Sequence, residues 1–135
     1  MGTTVWIGKD TRQDLRRLQD QLGTPSVNAT IRRLLERPAP DARALFAIHR
    51  AGIMAVIRRR RLKRLVAFGS RARGDARATS DLDLAVEVKA GADPLTVLEV
   101  EADLEELLGI RVHIVELPNP ALRQTIQREG VAFEA

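Results

Sequence analysis

Gly69-Ser70-Arg71-Ala72-Arg73-Gly74-Asp75-Ala76-Arg77-Ala78-Thr79-Ser80-Asp81-Leu82-Asp83-Leu84 follows directly on the apolar run Leu65-Val66-Ala67-Phe68. The run reads as a buried strand stopped by a glycine turn. Glycine lets the backbone adopt φ > 0 and come close to a ligand, so Gly69 can aim backbone amides and the Ser70 hydroxyl at an anion. Arg71 and Arg73 add cationic donors suited to phosphate oxygens, and Gly74 supplies a second permissive position. Further on, Asp81, Asp83 and Ala85 alternate with Leu82, Leu84 and Val86, the period-2 pattern of a strand with one buried face.

Carboxylates two apart on a strand share a side, where their repulsion is relieved by a cation between them. Oxygen ligands favour Mg²⁺, which binds through one or two carboxylates and the phosphates of its substrate. A phosphate turn and a carboxylate pair on neighbouring strands predict a nucleoside triphosphate site. Either feature alone is weak; a basic surface loop followed by two solvated aspartates would explain them separately.

The segment Gly69 to Leu84 resembles the signature of the minimal nucleotidyltransferases, the smallest members of the DNA polymerase β superfamily, and the resemblance runs from about Asp41 to Ala135. It implies that Gly69 and Ser70 hold the triphosphate, ATP being the expected donor, and that Asp81 and Asp83 hold Mg²⁺, or Mn²⁺ in its place. It also implies in-line attack of an acceptor hydroxyl on the α-phosphorus, with pyrophosphate leaving. The family's third carboxylate falls in the strand Arg111 to Val115, at His113, where imidazole is a poor Mg²⁺ ligand. Glu116 lies on the opposite face of that strand, and Glu87 is about 13 Å along its own strand from Asp83. Four readings of His113 stay open: a general base, a ligand for Mn²⁺ or another softer ion, the mark of a nucleotide-binding domain that has lost efficient transfer, or a residue that fills the position. Weakened rather than abolished transfer is the expectation.

Charge is segregated around this motif. Residues 1–40 carry +3, residues 41–75 carry +8 and residues 76–135 carry −7, within a net charge of +4. The basic block surrounds the phosphate turn and the acidic block contains the carboxylates, a polarity matched to a polyanion with its metal. The absence of cysteine excludes disulfides and thiol chemistry. With no apolar run of membrane-spanning length and no signal core, a cytoplasmic protein without a membrane partner is expected.

The first forty residues predict a strand over Thr3 to Ile7 and two helices. Leu15, Leu18 and Leu22 mark the first, with Asp10-Thr11 as caps and Gly23 as its stop. Ser26 caps the second, with Val27, Ile31, Leu34 and Leu35 as apolar positions. One strand and two short helices cannot bury a core alone, whereas two copies would pair their strands as an antiparallel ribbon. The segment resembles the ribbon-helix-helix DNA-binding family. That implies a homodimer reading operator DNA, with Thr4 and Trp6 toward the bases, Lys9 nearby, and Ser26 and Asn28 at a phosphate. A ribbon serving assembly or a protein partner, with Trp6 as an apolar anchor, is the competing reading.

The expected organisation is a ribbon-helix-helix segment over 1–37, a linker over 38–41 and a nucleotidyltransferase domain over 42–135, with an α/β (α+β) fold: a small mixed sheet and flanking helices. The domain is expected to open on one helix from Ala42 to about Arg61, to carry an amphipathic helix from Leu95 to Leu108, and to end in a short helix from Ala121 to Glu129. The basic run Arg58 to Arg64 reads as a solvated helix end or as a contact for RNA or an acidic protein. Through the two resemblances, an antitoxin acting on a HEPN-domain toxin is implied. A nucleotide-binding regulator without catalysis, and transfer to RNA or a small molecule, are the alternatives.

Overall fold

The computed structural model describes residues 6–134. The chain divides into two compact units at Arg37/Pro38.

The first unit holds α1 (Lys9–Leu22) and α2 (Val27–Glu36). The expected caps of α1 lie inside it instead: the helix starts after Gly8 without a side-chain cap, and Asp10 sits in its first turn, where a carboxylate complements the helix dipole. Gly23 ends α1 at φ 65°, its N–H donating to Gln19 O, the αL stop that glycine favours. Ser26 Oγ accepts the Ala29 N–H at 3.1 Å, capping α2. Thr30, fully buried, donates to Ser26 O and pairs with the Thr24 hydroxyl. No apolar side chain of this unit is buried among the described residues; Ile31 is 36% and Leu35 45% exposed. Of the expected strand, Thr3, Thr4 and Val5 lie outside the described residues, and Trp6 and Ile7 are not in a strand.

The second unit is built on a mixed four-stranded sheet in the order β3-β2-β1-β4. Its elements are α3 (Ala42–Ile48), α4 (Arg50–Arg59), β1 (Leu62–Phe68), α5 (Ser70–Arg73), β2 (Leu82–Val88), α6 (Thr96–Leu108), β3 (Val112–Glu116), a 3₁₀ turn (Pro120–Leu122), α7 (Arg123–Glu129) and β4 (Val131–Ala132). β1 pairs antiparallel with β2 from Leu62↔Val88 to Phe68↔Asp83, and with β4 at Val66↔Ala132 and Ala67↔Val131. β2 and β3 are parallel, in register Asp83↔His113, with α6 as the crossover between them. Such a parallel pair requires a long connection, usually a helix.

Three expectations are corrected here. The side of β2 that carries Asp83 is not uniformly open: Ala85 is buried like Leu84 and Val86, while Asp83 and Glu87 at either end of that face stay partly exposed. The helix from Ala42 is broken at His49, whose backbone leaves the helical region at φ −106°, ψ 21°. The 38–41 segment is no free linker. Ala39 N–H donates to Ala76 O, Pro38 bridges Arg77, and Asp41 Oδ1 caps α3 through the Ala44 N–H at 2.9 Å.

The core gathers Leu45, Phe46, Ile53 and Val56 from α3 and α4, the inward residues of the sheet, and Val100 and Leu104 from α6. Helices α4 and α6 meet closely at Gly52, where an added Cβ would stand 2.6 Å from a Leu107 methyl. The basic run ends α4 and begins β1, and α6 answers part of it. Arg60 Nε lies 2.8 Å from Asp103 Oδ2, Arg60 Nη1 lies 2.7 Å from Glu99 Oε2, and Arg59 reaches Asp103 at 3.1 Å. The hydrogen bond from Arg60 holds the Asp103 carboxyl below its usual range. Among the described residues no helix is long and apolar enough to cross a membrane.

Candidate active site

β1 delivers the chain to Gly69 at φ 76°, ψ −159°, a backbone conformation that side-chain-bearing residues rarely adopt. The expected turn is a turn into one short helix, α5, closed by Gly74 at φ 84°. Because Phe68 is opposite Asp83 in the β1–β2 ladder, the turn lies against that carboxylate. A Cβ on Gly69 would stand 2.3 Å from Asp83 Oδ2. Glycine is therefore required twice, by its φ and by the carboxylate packed against it. Ser70 opens α5, and among the described residues its hydroxyl has no hydrogen-bond partner.

Asp83 is the second residue of β2, and Asp81 stands exposed just before the strand. His113, its neighbour in register on β3, places Nδ1 3.3 Å from Asp83 Oδ1, with its side chain 62% exposed. Gly69, Asp83 and His113 are thus gathered at one end of the sheet. Among the described residues no group of three or more His, Asp or Glu side chains forms a cation site. The oxygen donors near the turn are the carboxylates of Asp83 and, just before β2, Asp81; two carboxylates suit an ion that completes its shell with substrate phosphates and water.

The expectation that Arg71 meets phosphate is corrected. Arg71 is 2% exposed, and its guanidinium donates to Ser80 O through Nε and Nη2 and to Pro40 O through Nη1, at 2.9–3.0 Å. Burial lowers its pKa while the nearby Asp81 charge raises it. It is an internal strut tying α5 to the residues before β2. Arg73 is half exposed, and two carboxylates hold it: Nε is 3.1 Å from Asp75 Oδ2 and Nη1 is 2.8 Å from Glu129 Oε2. The hydrogen bond to Asp75, then that to Glu129, raises the Arg73 pKa.

Glu129 was missed by the sequence reading. At the end of α7 its Oε2 also accepts the Gly69 N–H at 3.1 Å. Only a partner 60 residues away reveals this role, and no local pattern encodes it. In the first unit, Trp6 is exposed, Lys9 opens α1, Ser26 spends its hydroxyl on the α2 cap, and Asn28 is exposed in the first turn of α2. Thr4 lies outside the described residues.

The site is open. Concavities of about 450, 490 and 280 Å³ occur elsewhere in the second unit, and none is lined by Gly69, Ser70, Asp81, Asp83 or His113.

Residues 53–133 match the family model described as polymerase beta, nucleotidyltransferase. The chain is similar to a Methanocaldococcus jannaschii protein assigned as a protein adenylyltransferase, 33% identical over 58% of this chain and 87% of that one. It is also similar to the protein adenylyltransferase MntA of Thermococcus cleftensis, 38% identical over 47% of this chain and 67% of that one. Among solved structures, one assigned as a minimal nucleotidyltransferase is 39% identical, with a TM-score of 0.57 over 67% of this chain and 94% of that one. The fold is shared as well with a complex of a tri-AMPylated Shewanella oneidensis HEPN toxin and its MNT antitoxin, at a TM-score of 0.50 and 22% identity over 66% of this chain and 71% of the other.

Proposed function

The chain belongs to the polymerase β nucleotidyltransferase family, and from that premise we propose that it transfers adenylate from ATP to a hydroxyl of a HEPN-domain toxin, acting as that toxin's antitoxin. One observation supports the reading: Gly69 packs so tightly against Asp83 that an added Cβ would meet its carboxylate, as a phosphate turn beside a metal-binding aspartate requires. The names of the relatives support a protein acceptor. So does the open site, which leaves room for a hydroxyl on a macromolecule.

Ser70 is the hydroxyl free to meet a phosphate, and Gly69 and Gly74 supply the turn that presents it. Asp81 and Asp83 would hold a divalent cation, Mg²⁺ or Mn²⁺, which on binding would supply charge neutralisation at the reacting phosphates. In the transfer, the acceptor oxygen forms a bond to the α-phosphorus and the bond to the bridging oxygen breaks, so that pyrophosphate leaves. The acceptor proton needs a base. His113, exposed beside Asp83 with Nδ1 3.3 Å from Oδ1, is the group assigned to take it.

A second reading is favoured by His113 itself, since a histidine occupies the third-carboxylate position: the domain binds ATP and transfers weakly or not at all, serving as a regulator. The first unit fits either reading. Its uncovered apolar helix faces suit a second copy of the chain, and a dimer would present Thr4, Trp6, Lys9, Ser26 and Asn28 to operator DNA.

The test is incubation with labelled ATP and Mg²⁺ or Mn²⁺, with and without the protein encoded by the adjacent gene. Label on that neighbour, lost in Asp81→Ala, is the expected result; ATP binding without any labelled acceptor establishes the regulator instead. His113→Asp separates the roles of the histidine: a faster transfer marks it as a weakened ligand position, and a slower one marks it as the base.

A further inference from the structure

Glu129 closes α7, yet its Oε2 accepts both the Gly69 N–H at 3.1 Å and the Arg73 guanidinium at 2.8 Å, while its Oε1 lies 3.5 Å from Arg128. The carboxylate side chain is only 8% exposed. A carboxylate this far from water is stable only when charged or strongly polar donors surround it. Here two of those donors are the residue before α5 and the last residue of α5, so one side chain clamps both ends of the turn. The Gly69 amide is thereby spent inward, and the donors left at the turn are the Ser70 hydroxyl and the first amides of α5. Gly69 is also the residue pressed against Asp83 Oδ2. A turn that rotates about Gly69 moves Ser70 and disturbs Asp83 together. The clamp has a firm base: Gly130 N–H returns to Ile126 O at 2.8 Å, Val131 is buried in the sheet, and Phe133 packs edge-on against Phe46 at 5.4 Å.

We propose that Glu129 is a positioning residue for the nucleotide site, holding the Gly69–Arg73 turn so that Ser70 and Asp83 keep the separation a triphosphate and its cation require. This rests on the reading of that turn as the triphosphate site. The carboxylate does not touch nucleotide; it acts through Gly69 and Arg73.

The experiment uses the full chain with Glu129→Ala and Glu129→Gln, a fluorescent ATP analogue, and amide exchange at Gly69 followed by NMR. Glu129→Ala should weaken binding of the analogue about 10-fold, the scale of losing charge-assisted hydrogen bonds. Glu129→Gln keeps an acceptor for Gly69 but loses the charge facing Arg73, and should fall between. In a Ser70→Ala background the Glu129→Ala loss should shrink, since both changes act on one turn. Wild-type affinity in both variants, or an undiminished loss without the Ser70 hydroxyl, overturns the proposal. Where Glu129→Ala does not fold, Glu129→Gln with an unchanged melting temperature carries the same comparison. If the wild-type chain binds no triphosphate, the proposed function fails, and the clamp is judged on Gly69 alone. Slow Gly69 exchange in the wild type that becomes fast in Glu129→Ala upholds it, and equal exchange in that variant refutes it.

Discussion

The two units of this chain solve the burial problem in opposite ways. Residues from Pro38 onward enclose every fully buried apolar side chain among the described residues, and cover both inner strands of their sheet. The helices before Arg37 bury only Thr30 fully, leaving their leucines and isoleucines partly open. Hydrophobic burial is the main favourable contribution to folding, so the second unit has its own source of stability, whereas the described residues of the first bury no apolar side chain. Chemistry follows the same division, because a precise site needs a rigid frame.

Changes aimed at each unit should separate them, and the largest effect is expected at the turn. Gly69→Ala puts a Cβ onto Asp83 Oδ2 and forces a side chain to φ 76°. Transfer should fall about 100-fold or more through displacement of Asp83, while the helicity of residues 9–36 stays intact; transfer at the wild-type rate would break the link between turn and carboxylate. Next is Arg71→Met, which leaves the Ser80 and Pro40 carbonyls without their donor. It should cost about 3 kcal/mol of stability in denaturant unfolding, confined to the second unit. In the first unit, Ile31→Asp places a charge on the open face of α2. Dimer should be lost in sedimentation at micromolar concentration, with the second unit's melting temperature unchanged. An unchanged dimer would mean that the first unit does not assemble through that face.

The smallest expected effect is Asp103→Asn, a drop of a few °C at neutral pH measured by thermal melting. The Asp103 pKa is depressed chiefly by the Arg60 hydrogen bond, so its contribution is present above the unfolded carboxyl pKa of about 3.9 and is lost as pH falls through the lower folded value. Wild type and variant should therefore converge in acid.

Much of the second unit was legible because its residues announce local chemistry. Leu65 to Phe68 is a strand, Gly69 is a turn, and the stripe Val100, Leu104 of the amphipathic helix is buried as its spacing predicts. Position within the sheet was not legible. The alternation in Asp81 to Val86 suggested one wet face, but only the ends of that face are open, and Ala85 in its middle is buried; alanine tolerates either environment. Arg71 misled for a related reason: arginine is a surface residue by habit, and its burial depends on carbonyls at positions 40 and 80 that only the fold brings near. Glu129 is the extreme case, a role created wholly by tertiary contact. In the first unit the helix stop at Gly23 and the Ser26 cap were written locally, whereas the strand expected over Thr3 to Ile7 falls mostly outside the described residues, and Trp6 and Ile7 are not in a strand.

The strut at Arg71 also says where this protein can be recombined. A gene fusion that replaces the leading helices will keep the remainder sound when the junction falls before Pro38, since Pro40 O still receives the Arg71 guanidinium and Asp41 still caps the first helix. A junction only a few codons later removes the Pro40 acceptor and the Asp41 cap, leaving Arg71 its bonds to Ser80 alone. The proline segment, which looks expendable as spacer, belongs to the second unit, and the helices upstream of it can be exchanged without rebuilding the nucleotidyltransferase fold.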